Sequence, residues 1–166
     1  MIFKFLNKNF YISFSILALI YFLDRLTKIY VIQLDKNNLG SDIFNSTYLS
    51  IVLIWNKGIA FGLFSFDESH LYNILSLIIS IIVVILVIMS LKSQGFKRYS
   101  LLMVVGGALG NLHDRIFFNA VPDFIDFHVG NFHWFIFNVA DIFISLGVFC
   151  MILVELVDNN RNNETV

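Results

Sequence analysis

Two aspartates carry the chemistry that this chain can be expected to perform. Asp141 ends the run Phe137-Asn138-Val139-Ala140-Asp141 and leads into Ile142–Val154, a stretch without charge or proline. A carboxylate at the lip of a hydrocarbon-spanning segment costs about 3 kcal/mol on insertion scales, and so marks a functional site by default. Asp123, in Val121-Pro122-Asp123-Phe124, precedes it by 18 residues. Two carboxylates a few ångströms apart cannot both ionise cheaply, so they share a proton. The ionised partner can then take a proton from water while the protonated one polarises a carbonyl. That is the logic of aspartic peptide-bond hydrolysis, and it requires neither metal nor nucleophile. The same residues have a plainer reading, in which Asn138 or Asp141 caps the last helix and Asp123 is an exposed turn acid after Pro122.

The elements that position these acids are membrane helices. Of 166 residues, 58% are hydrophobic and 14% charged, with a mean hydropathy of +0.79. Soluble domains run at about 45–50% apolar and about 25% charged, so the composition is that of a membrane protein in one compact domain. The net charge of −1 offers no basic face for nucleic acid. Cys150 is the single cysteine, set in an apolar run, and reads as a small core residue.

Four segments reach the roughly 20 residues that a bilayer demands: approximately 10–30, 71–91, 99–118 and 138–157. The second is free of charge, whereas the first is interrupted by Asp24, Arg25 and Lys28 and the third by His113, Asp114 and Arg115. Lys4 and Lys8 before an apolar run resemble a secretory signal, but Asp24-Arg25 stands where a cleavage site would follow, so the segment reads as a retained helix. Lys4 and Lys8 precede helix 1, and Lys92, Lys97 and Arg98 fill the loop between helices 2 and 3, whereas the loop 119–137 has no Lys or Arg. The positive-inside rule then puts both termini in the cytoplasm. With that orientation Asp24, Asp114 and Asp141 share one depth near the outer surface, each on the order of 22–25 Å from its helix's cytoplasmic end.

About 40 outer residues separate helices 1 and 2, too many for an idle loop. Tyr48–Trp55 is apolar and β-branched and predicts a strand, with turn signals at Gly40-Ser41 and Asn45-Ser46. Ile59–Phe66 suits a short helix lying in the membrane interface. Together they predict a roof over the polar site. The Asn-rich tail 159–163 has the composition of disorder. The fold class is therefore all-α membrane protein, with four transmembrane helices, a small extracytoplasmic β-sheet and a short interfacial helix.

Among the remaining polar residues, Asp114 suits structural pairing. Arg115 either pairs with it or holds a carboxylate or carbonyl elsewhere in the site, and Arg25 and Lys28 suit snorkelling to the outer interface. Gly106 to Gly110 is a small-xxx-small pattern that permits close helix approach and would bring Asn111 to the site. His70, His113, His128 and His133 form no His-Glu-x-x-His pattern, so no metal and no cofactor is expected. His128 and His133 read as interfacial residues beside Trp134.

These motifs resemble the lipoprotein signal peptidase (signal peptidase II) family of bacterial membrane aspartic peptidases. Five blocks carry the resemblance, in the family's order: Asp24-Arg25-Leu26-Thr27-Lys28, Asn56-Lys57-Gly58-Ile59-Ala60-Phe61, Gly107 to Arg115 with Gly110-Asn111 and Asp114-Arg115, Val121-Pro122-Asp123-Phe124, and Phe137 to Asp141. Ile59 stands where the family usually has alanine and Ile142 where a small residue is common; neither removes a chemical group. The resemblance implies Asp123 and Asp141 as the catalytic pair. It implies supporting and ligand-binding roles for Lys28, Asn56, Gly58, Asn111, Arg115 and Asn138, with Asp24 and Asp114 holding the site together. The implied substrate is a prolipoprotein whose cysteine already carries diacylglycerol, cut on the N-terminal side of that cysteine by a monomer in the bacterial cytoplasmic (inner) membrane. Two rivals remain at this point: a small proton-coupled carrier using Asp24, Asp114 and Asp141 as a relay, which predicts acids spread through the membrane's depth, and a structural membrane subunit in which these residues only cap and pair helices.

Overall fold

The computed structural model describes residues 8–37, 43–58 and 69–164. Its elements run α1 (Lys8–Asn37), β1 (Phe44–Asn45), β2 (Leu49–Asn56), α2 (Ser69–Lys92), α3 (Gly95–Phe118), β3 (Val121–Val129), β4 (Phe132–Phe137) and α4 (Val139–Glu164). Stretches within α1, α2 and α4 are long and apolar enough to cross a membrane: Phe10–Asn37, Tyr72–Lys92 and Val139–Asp158. They leave a belt of large side chains uncovered, among them Phe14, Phe22, Leu77, Ile81, Phe149 and Ile152. An apolar surface of that extent requires lipid rather than water around it.

α3 is different. It packs against α1, α2 and α4 and buries Leu101, Val105, Asn111, Asp114 and Arg115. Its polar residues face other helices, so this central helix does not need the apolar composition of the lipid-facing three. Glycine makes the approach possible. A Cβ on Gly107 would collide with the backbone oxygen of Ala140, and one on Gly110 would lie 2.5 Å from Asp24 Oδ2. From the α4 side, a Cβ on Gly147 would lie 2.7 Å from Ser100 O. The expected small-residue packing is therefore present, and it reaches both α1 and α4.

The helices outrun the apolar windows that announce them. α1 was expected to end at residue 30 and continues to Asn37; α4 was expected to end at 157 and continues to Glu164, so the Asn-rich stretch 159–163 is helical rather than disordered. Hydropathy measures what lipid covers, whereas a helix stops only where its backbone is capped or broken. α3 shows such a stop in Asn119, whose left-handed φ of 54° ends the helix.

The expected strand at 48–55 is β2, shifted by one residue. The segment 119–137, expected to be a loop, instead forms the β3–β4 hairpin, which turns at Gly130 with a φ of 60°. The sheet is antiparallel in the order β1-β2-β3-β4. Pairing of Asn56 with Val121 and Ile54 with Asp123 sets the end of β2 beside the first catalytic candidate. The expected interfacial helix, 59–66, lies outside the described residues.

Overpacking a filled helix contact costs about 1–3 kcal/mol. Gly107→Ala and Gly110→Ala are therefore each expected to lower the unfolding temperature in detergent by several degrees. Gly106→Ala is expected to do less, because its Cβ would press on the Ile20 side chain rather than on backbone or a buried carboxylate. Thermal unfolding of the three variants beside wild type gives the ranking.

Candidate active site

α1 supplies three charged residues from one turn and a little more. Asp24 and Lys28, four apart, share a helix face, and both are buried, with exposures of 0% and 1%. The Lys28 ammonium has three protons and donates to three acceptors: Asp24 Oδ2 at 2.9 Å, Asp114 Oδ2 at 2.7 Å and Asn111 Oδ1 at 2.9 Å. Arg25 turns to the same cluster, with Nη2 2.7 Å from Asp114 Oδ2 and 3.0 Å from Asp24 Oδ2, and Nη1 2.6 Å from Asp114 Oδ1. The snorkelling expected of Arg25 and Lys28 is thus corrected: both point inward, because two fully buried carboxylates on α1 and α3 would otherwise lack counter-charges. Thr27, from the same motif, donates to the carbonyls of Leu23 and Asp24 in its own helix.

α3 presents Asn111, Asp114 and Arg115 on neighbouring positions of one face. Asp114 pairs with Arg25 and Lys28. Arg115 takes the second of the alternatives open to it: Nη2 donates to Gly58 O at 3.0 Å and Nη1 to Asn111 O at 3.3 Å. It thereby ties the residues after β2 to the bundle. Tyr72 reaches from α2 to Arg115 O at 3.4 Å.

The start of α4 carries a reciprocal cap. Asp141 N–H donates to Asn138 Oδ1 at 3.1 Å, and Asn138 N–H donates to Asp141 Oδ2 at 3.2 Å, the geometry of a capping box. A third N–H, that of Ala140, donates to Asp24 Oδ1 at 3.0 Å. The plain capping reading of Asp141 is therefore true, and it does not exhaust the residue. Its other oxygen, Oδ1, accepts from Asn111 Nδ2 at 2.8 Å.

Asp123, on β3, is 2% exposed rather than an exposed turn acid. Its Oδ1 accepts from Asn138 Nδ2 at 2.6 Å and its Oδ2 from Asn56 Nδ2 at 2.9 Å. Both amides are held the right way round, since Asn56 Oδ1 accepts Gly58 N–H at 2.8 Å and Asn138 Oδ1 accepts Asp141 N–H. Asn138 thus donates to both acids, through its side chain to Asp123 and its backbone to Asp141. Burial pushes the Asp123 carboxyl up to about 6, and the negative charge of Asp141 adds to the effect, against the opposing hydrogen bonds from Asn56 and Asn138.

The structure therefore gathers Asp24, Lys28, Asn56, Gly58, Asn111, Asp114, Arg115, Asp123, Asn138 and Asp141 into one connected network. The acids of α1, α3 and α4 meet in a single cluster, not in a series across the membrane. Two grooves open on it. One, of about 620 Å³, lies between the sheet and α4, walled by Tyr48, Phe127, Trp134, Phe135, Ile142 and Leu146 and reaching Asp141. The other, of about 510 Å³, lies among α2, α3 and α4 and reaches Asp141 beside Asn111 and Arg115. Sequence reasoning missed Arg25 as a cluster member, and it missed the Asp126–His133 contact of 2.8 Å on the hairpin. The spacing of Asp126 and His128, two apart on a strand, was the available signal for the latter.

Residues 16–157 match the family model described as signal peptidase (SPase) II. A lipoprotein signal peptidase of Pelagibacter ubique (strain HTCC1062) is 50% identical over 154 residues, spanning 93% of both chains. One from Anaplasma phagocytophilum (strain HZ) is 39% identical over 154 residues, spanning 92% of this chain and 96% of that one. A solved bacterial membrane enzyme, obtained by the in meso method at 2.3 Å resolution, superposes with a TM-score of 0.72 at 28% identity, over 90% of each chain. With most of its length matched by the family model and by close relatives, the chain belongs to the signal peptidase II family.

Proposed function

We propose that the chain is an aspartic endopeptidase in which Asp123 and Asp141 form the catalytic pair. Family membership makes it a peptidase that removes signal peptides from prolipoproteins. The observation that carries the catalytic assignment is the double donation by Asn138, which ties both buried carboxylates to one residue, with Asp141 lining the two grooves. Asp141 lies in the first turn of α4, where the helix dipole favours negative charge. Asp123 lies on a strand without that support and is pushed up to about 6. The asymmetry suits a resting state with the shared proton on Asp123. Asp141 then takes a proton from the attacking water while Asp123 protonates the scissile carbonyl oxygen. Collapse of the tetrahedral intermediate returns that proton through the pair to the leaving amide nitrogen.

The supporting residues follow from their contacts. Asn56, Asn111 and Asn138 fix the four carboxylate oxygens. Asp24, Lys28 and Asp114 hold α1, α3 and α4 in register. Arg115 anchors Gly58, and its Nε has no partner among the described residues, which makes it a candidate donor to the substrate backbone beside Asp141. Both groove walls are mainly apolar, which suits a substrate with an apolar arm on either side of the scissile bond: a hydrophobic signal segment and a diacylglyceryl-modified cysteine. We take α3 as a fourth span, shielded from lipid by its neighbours. The site then lies near the outer face of the bacterial cytoplasmic membrane with both termini inside, and the chain works as a monomer.

Purified wild type in detergent is expected to release the signal peptide from a diacylglyceryl-modified prolipoprotein and to leave the unlipidated precursor uncut. Asp123→Asn and Asp141→Asn should each lower turnover by roughly 10³-fold or more while keeping the wild-type unfolding transition. A folded wild type that leaves the lipidated substrate intact would sink the reaction. Either Asn variant working at the wild-type rate would sink the pair.

The proton chemistry has a separate signature. Removing the negative charge of Asp141 takes away a cause that raises Asp123, so the midpoint of Asp123 should fall in Asp141→Asn while burial keeps it above the ordinary carboxylate value. Isotope-edited infrared titration of the aspartates reads this shift. In wild type, loss of the shared proton as pH rises beyond about 6 should produce the alkaline limb of kcat/KM. A rate that keeps rising through that range would contradict a protonated Asp123.

A further inference from the structure

The β3–β4 hairpin carries a second cluster of titratable side chains that hydrolysis does not use. Asp126, His128 and His133 present ligand atoms that all lie within 4.8 Å of one another. Strand geometry explains the grouping. Asp126 and His128 are two apart on β3 and so share a face, and His128 is paired with His133 across the hairpin. The register shifts by one residue between Asp126 and His128. Without that extra residue on β4, Trp134 would stand opposite His128. The bulge turns His133 to the same side instead, which is the kind of re-aiming that bulges perform.

Two ligand atoms in the cluster are buried without a hydrogen-bond partner among the described residues. His128 Nε2 lies 3.1 Å from Ser46 O, a carbonyl that can only accept, so Nε2 carries a proton and in the neutral ring Nδ1 holds the lone pair. That Nδ1 is buried with no hydrogen-bond partner among the described residues, as is Asp126 Oδ1. A histidine that donates one ring N–H to a backbone carbonyl and offers the other nitrogen has the tautomer that metal sites require. Asp126 is 4% exposed, and its Oδ2 meets His133 Nδ1 at 2.8 Å and faces His128 Nδ1 at 3.9 Å. The two imidazoles stack with centroids 5.0 Å apart.

We propose that Asp126, His128 and His133 form a binding site for one divalent transition-metal ion, with zinc the best fit to two imidazoles and a carboxylate. Ligand atoms about 2.0–2.2 Å from a tetrahedral ion stand roughly 3.3 Å apart. The contacts at 2.8 and 3.9 Å bracket that spacing, and the remainder is closed by His133, whose side chain is 57% exposed and free to swing inward. Coordination through His133 Nδ1 moves its proton to Nε2, on a ring open to water. Three protein ligands leave a fourth position for solvent. The ion would clamp β3 to β4 beyond Asp123, where His128 and the neighbouring Phe132 and Trp134 wall the sheet-side groove. It would brace that wall and take no part in the proton transfers of the aspartates.

The test is metal binding itself, independent of peptidase activity. Untagged, chelator-stripped wild type in detergent is titrated with zinc against a chromophoric chelator, beside His133→Gln, Asp126→Asn and, as a control, His113→Gln. The expected result is one zinc per chain, weakened roughly tenfold or more by His133→Gln and by Asp126→Asn and unchanged by His113→Gln. Cobalt should give tetrahedral visible bands that His133→Gln abolishes. Wild type that takes up no stoichiometric zinc at micromolar free metal would overturn the proposal and leave an Asp126–His133 hydrogen bond. So would zinc that binds equally well to both ligand variants.

Discussion

Everything in the site depends on where Asp24 can put its charge. It is completely buried and must be matched by groups that do not leave with it. Lys28 and Arg25 come from its own helix, but Asp24 Oδ1 also accepts the Ala140 N–H at the start of α4, and its carboxylate fills the space that Gly110 leaves on α3. One side chain therefore joins α1 to α3 and α4 beside Asp141. Removing one partner of a buried ionic network costs roughly 3–5 kcal/mol, because the remaining charge is stranded. Apolar residues of similar volume could hold the helices as firmly. They could not fix the rotation and height of α4 that set Asp141 against Asn111 and Asn138, since apolar packing is non-directional and hydrogen-bonded charges are not.

The charge balance of the cluster bears directly on the proton. Asp24, Asp114, Asp123 and Asp141 are four buried carboxylates; Arg25, Lys28 and Arg115 are three buried cations. One extra proton makes the cluster neutral, and in a poorly polarisable site neutrality is strongly favoured. For the proposed catalytic pair, a shared proton is what the cations leave over. Lys28 and Arg25 pair with Asp24 and Asp114, while Asp123 and Asp141 accept hydrogen bonds from amides. Asparagines suit that task because they orient carboxylates without supplying charge.

Much of this was legible in the sequence, for a physical reason: lipid makes polar residues conspicuous. In an apolar background, Asp24, Asp114 and Asp141 stand out individually, and their common depth follows from counting residues. Length was not legible to the same degree, because Val31–Asn37 and 159–164 are helical without being apolar, and no proline or glycine stops them. The segment 121–137 was hidden by composition. Pro122, two aspartates, Gly130 and two histidines imitate a loop, and the alternation that identifies a strand is obscured because each face of β3 mixes polar and apolar residues, Asp123 with Ile125 and Phe127 on one, Asp126 and His128 with Phe124 on the other. The direction of Arg25 was equally hidden, since a cation near a helix end can reach water or a carboxylate, and only the position of α3 decides between them.

The hairpin places exposed apolar residues next to a site rich in charge. Val129, Phe132 and Trp134 are largely exposed on the hairpin and line the groove between the sheet and α4, while Asp123 at the start of β3 is buried against Asn56 and Asn138. The hairpin thus changes character along its length, from the buried Asp123 at one end to an exposed apolar tip at the other, and the sheet covers Asp123. Burial raises Asp123 and, on the proposed mechanism, strengthens the fixed dipoles directed at the scissile bond. It also requires that water arrive by a limited route. Both grooves that reach Asp141 are apolar for most of their length, so a substrate filling them would displace solvent from the approaches and leave polar surface only where Asp141, Asn111 and Arg115 come together. Apolar walls that draw in a lipidated peptide would then also restrict the water available for its cleavage to the place where the carboxylates can use it.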